Sequence, residues 1–354
     1  MDRRHFVKVA AAIGFAAAAP GLRGETSPNM QKYRLTYRVR LAENSKLARL
    51  WLPVPQCDSA GYQVCTGRAW NGTADEADFI EKAPHAAPTF FAVWRGEDPS
   101  EIVVTSDVAT RDRAVALDDA ADLKPVYPAA VREFLKATPN MPIDGIVRST
   151  ALEATRGAHT PLAKARAIYD WVVENSFRDP TVRGCGRGDI KFMLETGNMG
   201  GKCADINSLF VGLARAAGIP AREVFGIRIA PSNQFPSLGL KSSDASKAQH
   251  CRAEFYLTGV GWVPVDPADV RKAVLEENLP LDAPSIVALR ERLFGSWEMN
   301  WVGFNHARDF RLHTYSPGGM LNFFMYPHAE IDQVPRDSLD PKTFVYQIEA
   351  QALA

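Results

Sequence analysis

Cys203, His250 and Asp266 lie far apart in the chain, yet have the types and order that nucleophilic attack on a carbonyl needs. A thiol is a weak nucleophile until it loses its proton. An imidazole beside it takes that proton and leaves a thiolate–imidazolium pair that stays reactive near neutral pH. The same ring later returns a proton to a leaving amine, and a carboxylate holds the ring in the useful tautomer. Cys203 follows Gly200-Gly201-Lys202 and opens a segment in which Ile206, Leu209, Phe210 and Leu213 recur at helical spacing. The glycines permit a sharp turn and close approach of backbone to a ligand. In the first turn of a helix a cysteine meets unpaired N–H groups and the positive end of the macrodipole, which favour the thiolate. A buried cysteine taken alone is more often a small core hydrophobe. The histidine and aspartate downstream are what point to chemistry.

The elements that must position these residues follow from the pattern around them. Gly218-Ile219-Pro220 stops the Cys203 helix, glycine just past its end and proline two residues on. Residues 224–229 read as a strand, and 231–248 as a Ser-, Pro- and Lys-rich exposed, mobile loop, a lip over a cleft. Strands 250–257 and 262–265, joined by a tight turn at 258–261, would set His250 beside Asp266. Upstream, Thr160 and Pro161 start a helix as N-cap and first residue, with Leu162, Ala165, Ile168, Tyr169, Val172 and Val173 as its apolar stripe.

Residues 32–41 alternate strictly, Tyr33, Leu35, Tyr37, Val39 and Leu41 on one side, which predicts a half-buried strand. With strand-like runs at 47–54, 89–94 and 101–109, residues 30–110 predict a small β-sandwich-like domain, its arginines 34, 38 and 40 on a solvated face. A proline-rich connector at 111–145 leads to the catalytic unit at 146–280. Residues 281–354 have too few regular elements to stand alone and are expected to pack on the catalytic domain.

The 354 residues are 46% hydrophobic and 23% charged, ordinary for a globular chain with room for two domains. Arg3, Arg4, Phe6 and Lys8 precede a short Ala-rich apolar run in the register of a twin-arginine export signal. The run is too short to span a bilayer, so residues 1–24 are expected to be a cleaved signal and the mature protein periplasmic or secreted. The full chain carries 41 basic and 41 acidic residues, and without residues 1–24 the balance is 37 to 40. That gives no footprint for nucleic acid or an anionic membrane, and leaves a protein or peptide as the expected partner. The five cysteines (57, 65, 185, 203 and 251) have no zinc-ligand spacing, there is no calcium-loop pattern, and no metal or cofactor is implied. Cys57 and Cys65 are close enough in sequence to pair within one loop, a matter of geometry that spacing leaves open.

Gly201-Lys202-Cys203-Ala204-Asp205, Gly218-Ile219-Pro220-Ala221-Arg222 and the run from His250 through Glu254 to Gly261-Trp262-Val263-Pro264-Val265-Asp266-Pro267 together resemble the bacterial transglutaminase-like family over roughly residues 160–272. The resemblance implies an α+β fold with a papain-like core, in which a helix presents cysteine against an antiparallel sheet bearing histidine and aspartate. It implies Cys203 as nucleophile, His250 as base and acid, and Asp266 as orienting carboxylate. The Cys203 N–H is expected to bind the oxyanion, with Asn198 as a candidate side-chain donor. The family often has tryptophan two residues after the histidine, where this chain has Arg252, a change expected to alter the cleft wall or its charge preference. Around the three residues, Gly201 and Asp205 are expected to shape the helix start, and Glu254 to pair with Arg222 rather than act as an acid. Cys251 is expected in the core, Trp262 in the cleft wall or the core, and His306, His313 and His328 in packing or surface positions. The function expected is an exported cysteine enzyme that forms a thioester from a protein or peptide amide and passes the acyl group to an amine or to water. The alternatives are a peptidase or amidase without transferase activity, and a non-catalytic peptide-binding domain. The sequence leaves the oligomeric state open.

Overall fold

The structure is a computed structural model and describes residues 29–41, 45–57, 61–81, 87–96, 100–117, 124–312 and 319–354. The expected export signal and His313 lie outside these residues.

Six strands open the fold: β1 (Gln31–Arg40), β2 (Leu47–Pro53), β3 (Gln63–Gly72), β4 (Glu76–Ile80), β5 (Thr89–Arg95) and β6 (Glu101–Thr110). The central unit has helices α1 (Gly145–Ala154), α2 (Pro161–Asn175), α3 (Ile190–Thr196) and α4 (Cys203–Ala216), then strands β7 (Ala221–Arg228), β8 (Gln249–Leu257) and β9 (Gly261–Val265). Helices α5 (Pro267–Glu276) and α6 (Pro284–Arg292) follow, and then strands β10 (Trp301–Asn305), β11 (His328–Ile331), β12 (Val334–Pro335) and β13 (Val345–Leu353).

The alternation in β1 buries Tyr33, Leu35, Tyr37 and Val39 and turns its arginines outward, where Arg34 pairs with Asp107 at 2.7 Å. One antiparallel sheet has the order β13-β1-β6-β3 and the other β12-β11-β2-β5-β4. Leu35, Leu50, Leu52, Phe90 and Val104 from both sheets share one fully buried core. Each such side chain contributes roughly 1.5–3 kcal/mol by leaving water. The Tyr37 hydroxyl donates to the Pro53 carbonyl at 2.9 Å and ties the sheets together. Cys57 and Cys65 form a disulfide with Cα atoms 4.9 Å apart.

The C-terminal segment takes its expected place only in part: at residues 284–310 it packs on the catalytic unit, where Tyr169 donates to the Arg290 carbonyl, Trp297 to the Val265 carbonyl and Arg308 pairs with Glu223, but the later strands do not. β13 pairs with β1 from Lys32 to Arg40, β11 pairs with β2, and only β10 joins the central sheet. The exposed hydrogen-bonding edges of β1 and β2 account for this, because an unpaired edge is completed most readily by another extended segment. The N-terminal unit is therefore built from both ends of the chain.

The central sheet is antiparallel with order β9-β8-β7-β10, and α4 packs against β7 and β8. Residues 203–215 of α4 are all buried, which explains why apolar residues occupy more than one face of it. Buried Arg215 in its last turn donates to the carbonyls of Ala221 at 2.8 Å and Lys136 at 3.0 Å. α2 is capped as its sequence predicts, Thr160 Oγ1 accepting from Ala163 N at 3.1 Å. No helix among the described residues is long and apolar enough to cross a membrane. The fold is α+β.

Candidate active site

The helix that begins at Cys203 is held at its start by Asp205, whose carboxylate accepts from the backbone N–H groups of Arg187 (2.8 Å), Gly188 (2.8 Å) and Lys202 (2.9 Å). Two of these donors belong to the Gly-rich passage before α3. Gly186 there has φ +92, and a Cβ on it would collide with the Asp205 carboxylate. The Cys185 carbonyl accepts from Ala204 N at 2.9 Å. A β-carbon at Gly201 would likewise strike Asp205, so both glycines let the chain press against the helix end.

Cys203 sits in this first turn, 4% exposed, and lines a cavity of about 740 Å³ together with Cys185, His250, Gln249 and Tyr326. Hydrogen bonds with Cys185 and Cys251, aided by the His250 imidazole and opposed by burial, hold its thiol well below the usual cysteine range. The neighbours move the other way: contact with Cys203 and burial push Cys185 up, and burial and Cys203 push Cys251 up. The Cys185 thiol donates to the Gln249 carbonyl at 3.2 Å and accepts from the Tyr326 hydroxyl at 3.0 Å. Of the three thiols, Cys203 is the one shifted toward the anion.

His250 lies near the start of β8 opposite Gly226 of β7, and its carbonyl accepts from Trp301 Nε1 at 2.8 Å. A side chain at position 226 would occupy the space of that indole ring. The Nε2 atom is 2.7 Å from Asp266 Oδ2, which leaves Nδ1 as the ring atom available to Cys203. Burial and Arg228 push the imidazole down, but Asp269 and Asp266 outweigh them, and the ring titrates above its ordinary value.

Asp266 ends the β8–β9 hairpin and caps α5. Its Oδ1 accepts from Asp269 N at 3.1 Å and from Asn207 Nδ2 at 3.2 Å, while Oδ2 faces the imidazole. Burial and Asp269 raise its pKa against the pull of His250 and Arg252. Burial also acts on Asp269, but Arg228, 2.5 Å away, holds it well below the carboxylate range. His250, Asp266 and Asp269 offer ligand atoms within 4.8 Å of one another. Arg228 and Arg252 already pair with these carboxylates, so a metal ion there would meet two like charges.

Two residues near this constellation were not singled out from the sequence. Asn207 lies one helical turn after Cys203 and ties Asp266 to the Cys251 carbonyl (2.8 Å); its i+4 spacing was the available signal. Tyr326 comes from the segment before β11, and no local pattern connects it to Cys203.

The supporting residues sort differently from expectation. Arg252 does not line the cleft. It is buried, donates to the Glu298 carbonyl at 2.8 Å, lies over the Trp301 ring at 4.8 Å, and stands 3.7 Å from Asp266 Oδ2. Its charge therefore acts on the carboxylate. Glu254 is bonded to Arg222 at 2.6 Å, as expected, and also to Arg113 at 2.6 Å. Trp262 belongs to that group, its ring under the Arg222 guanidinium at 3.9 Å, and lies outside the cavity wall. Asn198 is exposed and away from the cavity, its side-chain oxygen accepting from Gly200 N at 3.2 Å in a turn, so it is not placed to bind an oxyanion.

The lip at 231–248 lines the cavity as expected, but it is fastened. Leu238 and Ala245 are buried, Ser237 N donates to Glu277 Oε1 at 2.9 Å, and Ala245 N donates to the Ile348 carbonyl at 2.8 Å.

Residues 148–267, which contain all three residues of the constellation, match the Transglutaminase-like superfamily. A protein of Haemophilus influenzae (strain Rd), described only as uncharacterized, is 40% identical over 344 residues, 93% of each chain. The chain belongs to the transglutaminase-like superfamily. A solved structure similar to it is that of a candidate cysteine protease from Cytophaga hutchinsonii, at a TM-score of 0.59 and 14% identity over 92% of each chain. That likeness is one of fold, and it spans the N-terminal sheets as well as the transglutaminase-like core. The periplasmic domain of TgpA from Pseudomonas aeruginosa aligns at a TM-score of 0.35 and 18% identity, over 70% of this chain and 90% of its own.

Proposed function

We propose that this transglutaminase-like protein is an exported cysteine enzyme that acts on protein or peptide amides through a thioester. The observation that carries the reading is the 2.7 Å contact of His250 Nε2 with Asp266, with the ring and the Cys203 thiol in one cavity. In the resting state His250 holds the thiol proton. The Cys203 sulfur attacks the amide carbonyl carbon, and the oxygen takes the electron pair within reach of the Cys203 N–H, which has no acceptor inside its own helix. The C–N bond then breaks, the amine leaves with the proton from His250, and a thioester remains. Water or a second amine gives a proton to His250, attacks the thioester and releases the sulfur, so acid or a new amide forms and the enzyme returns to its start. Asp266 stays ionised throughout and fixes the ring.

Hydrolysis and transfer share the thioester and differ in the acceptor, which added primary amines reveal by diverting product from acid to amide. The twin-arginine-type segment supports export to the periplasm or beyond. Cys203→Ala is expected to abolish labelling by a thiol-directed acylating probe while leaving the thermal midpoint nearly unchanged. Labelling that persists at Cys185 or Cys251 would overturn the assignment.

A further inference from the structure

Over the whole chain basic and acidic residues balance at 41 each, but the cavity wall does not share that balance. It carries seven Arg and Lys side chains against two carboxylates, Asp244 and Glu276. Three of the cations are committed: Arg228 to Asp269 (2.5 Å), Arg183 to Asp337 (2.6 Å) and Lys272 to Glu276 (3.8 Å). The other four, Arg178, Lys202, Lys241 and Lys247, form no ion pair among the described residues. They come from three separate segments. Arg178 follows α2, Lys202 adjoins the nucleophile, and Lys241 and Lys247 project from the lip, exposed to solvent. Asp179 stands near Lys202, Glu277 near Lys241 and Asp244 near Lys247, none at ion-pair distance, and of these three carboxylates Asp244 alone lines the cavity. A cleft with low-dielectric walls and one sign of charge focuses its field on an entering ligand.

We propose that this cleft selects peptides bearing carboxylate side chains, so that the acyl donor is an acidic peptide; this rests on the reading of Cys203 as nucleophile. A bounded cavity of about 740 Å³ suits a short peptide, whereas a nucleic acid is met by an extended basic stripe. Leu240, Leu339 and Phe344 supply apolar wall between the cations, for the aliphatic parts of such a chain.

The test is protection of Cys203 in the purified protein against iodoacetamide, comparing a glutamate-rich hexapeptide with its glutamine isostere. The acidic peptide is expected to protect at concentrations about tenfold lower or less, with the advantage shrinking as salt is raised. Lys241→Gln with Lys247→Gln, two exposed changes, is expected to reduce that advantage, and the salt series gives the same information without any substitution. Equal protection by the two peptides, protection by neither, or an advantage that ignores both salt and the lysines would overturn the proposal. A Cys203 that reacts no faster than an ordinary thiol would instead remove the nucleophile reading, and the difference between peptides would still report the charge preference of the cleft.

Discussion

Asp266 is asked to do three things with two oxygens: hold the His250 ring, cap α5, and accept from Asn207. Only the first needs its charge. Asp266→Asn keeps a residue that caps helices well but leaves the imidazolium without its counter-charge and favours the wrong tautomer. Acylation of Cys203 is expected to slow by roughly 10²–10⁴-fold, measured as the single-turnover rate with an activated acyl probe. The residue types were readable from the sequence because chemistry restricts them to a few choices. Arg252 was misplaced because its neighbours, Trp301 and Glu298, come from a distant segment that no local pattern connects to β8.

At the scale of elements, the start of α4 depends on a passage nearly twenty residues upstream. Asp205 collects three backbone N–H groups, two from the Gly-rich turn, and loss of its carboxylate would leave them unpaired, that of Gly188 buried and the other two partly so. Asp205→Ala is expected to destabilise the protein by about 2–4 kcal/mol in denaturant melts and to lower Cys203 reactivity in proportion as the helix end loosens. The helices and the β8–β9 hairpin were legible because their apolar periods and stop signals are local. The clamp was legible only as glycines and an acidic residue near a helix start. Which groups they bind follows from long-range packing. The mobility expected of the lip failed for the same reason: its composition is that of a surface loop, but buried Leu238 and its bonds to α5 and β13 hold it in place.

Across the whole molecule, β13 joins the two halves, as does the pairing of Gln63 with the Gly303 backbone. The strand completes the sheet beside β1, buries Ile348, and binds Ser243 and Ala245 of the lip through backbone bonds of 2.9 and 2.8 Å. Removal of residues 345–354 is expected to expose β1, free the lip, and lower the thermal midpoint by several degrees, at roughly 2–4 °C per kcal/mol for a chain of this size. Limited proteolysis within 231–248 would report the freed lip. The sequence suggested two units in order, and an extension on the second, because strand pairing between chain ends leaves no trace in spacing. The account as a whole rests on Cys203 and His250 sharing one proton as a unit. The most direct measurement is the pH dependence of iodoacetamide alkylation at Cys203, in the native protein and in His250→Ala. Because the thiol pKa is lowered and the imidazole pKa raised, the native rate is expected to rise at pH well below the usual cysteine range and hold a plateau through neutrality. In His250→Ala the rise is expected to move to higher pH. A native profile with a single titration in the ordinary thiol range, unchanged by that substitution, would contradict it.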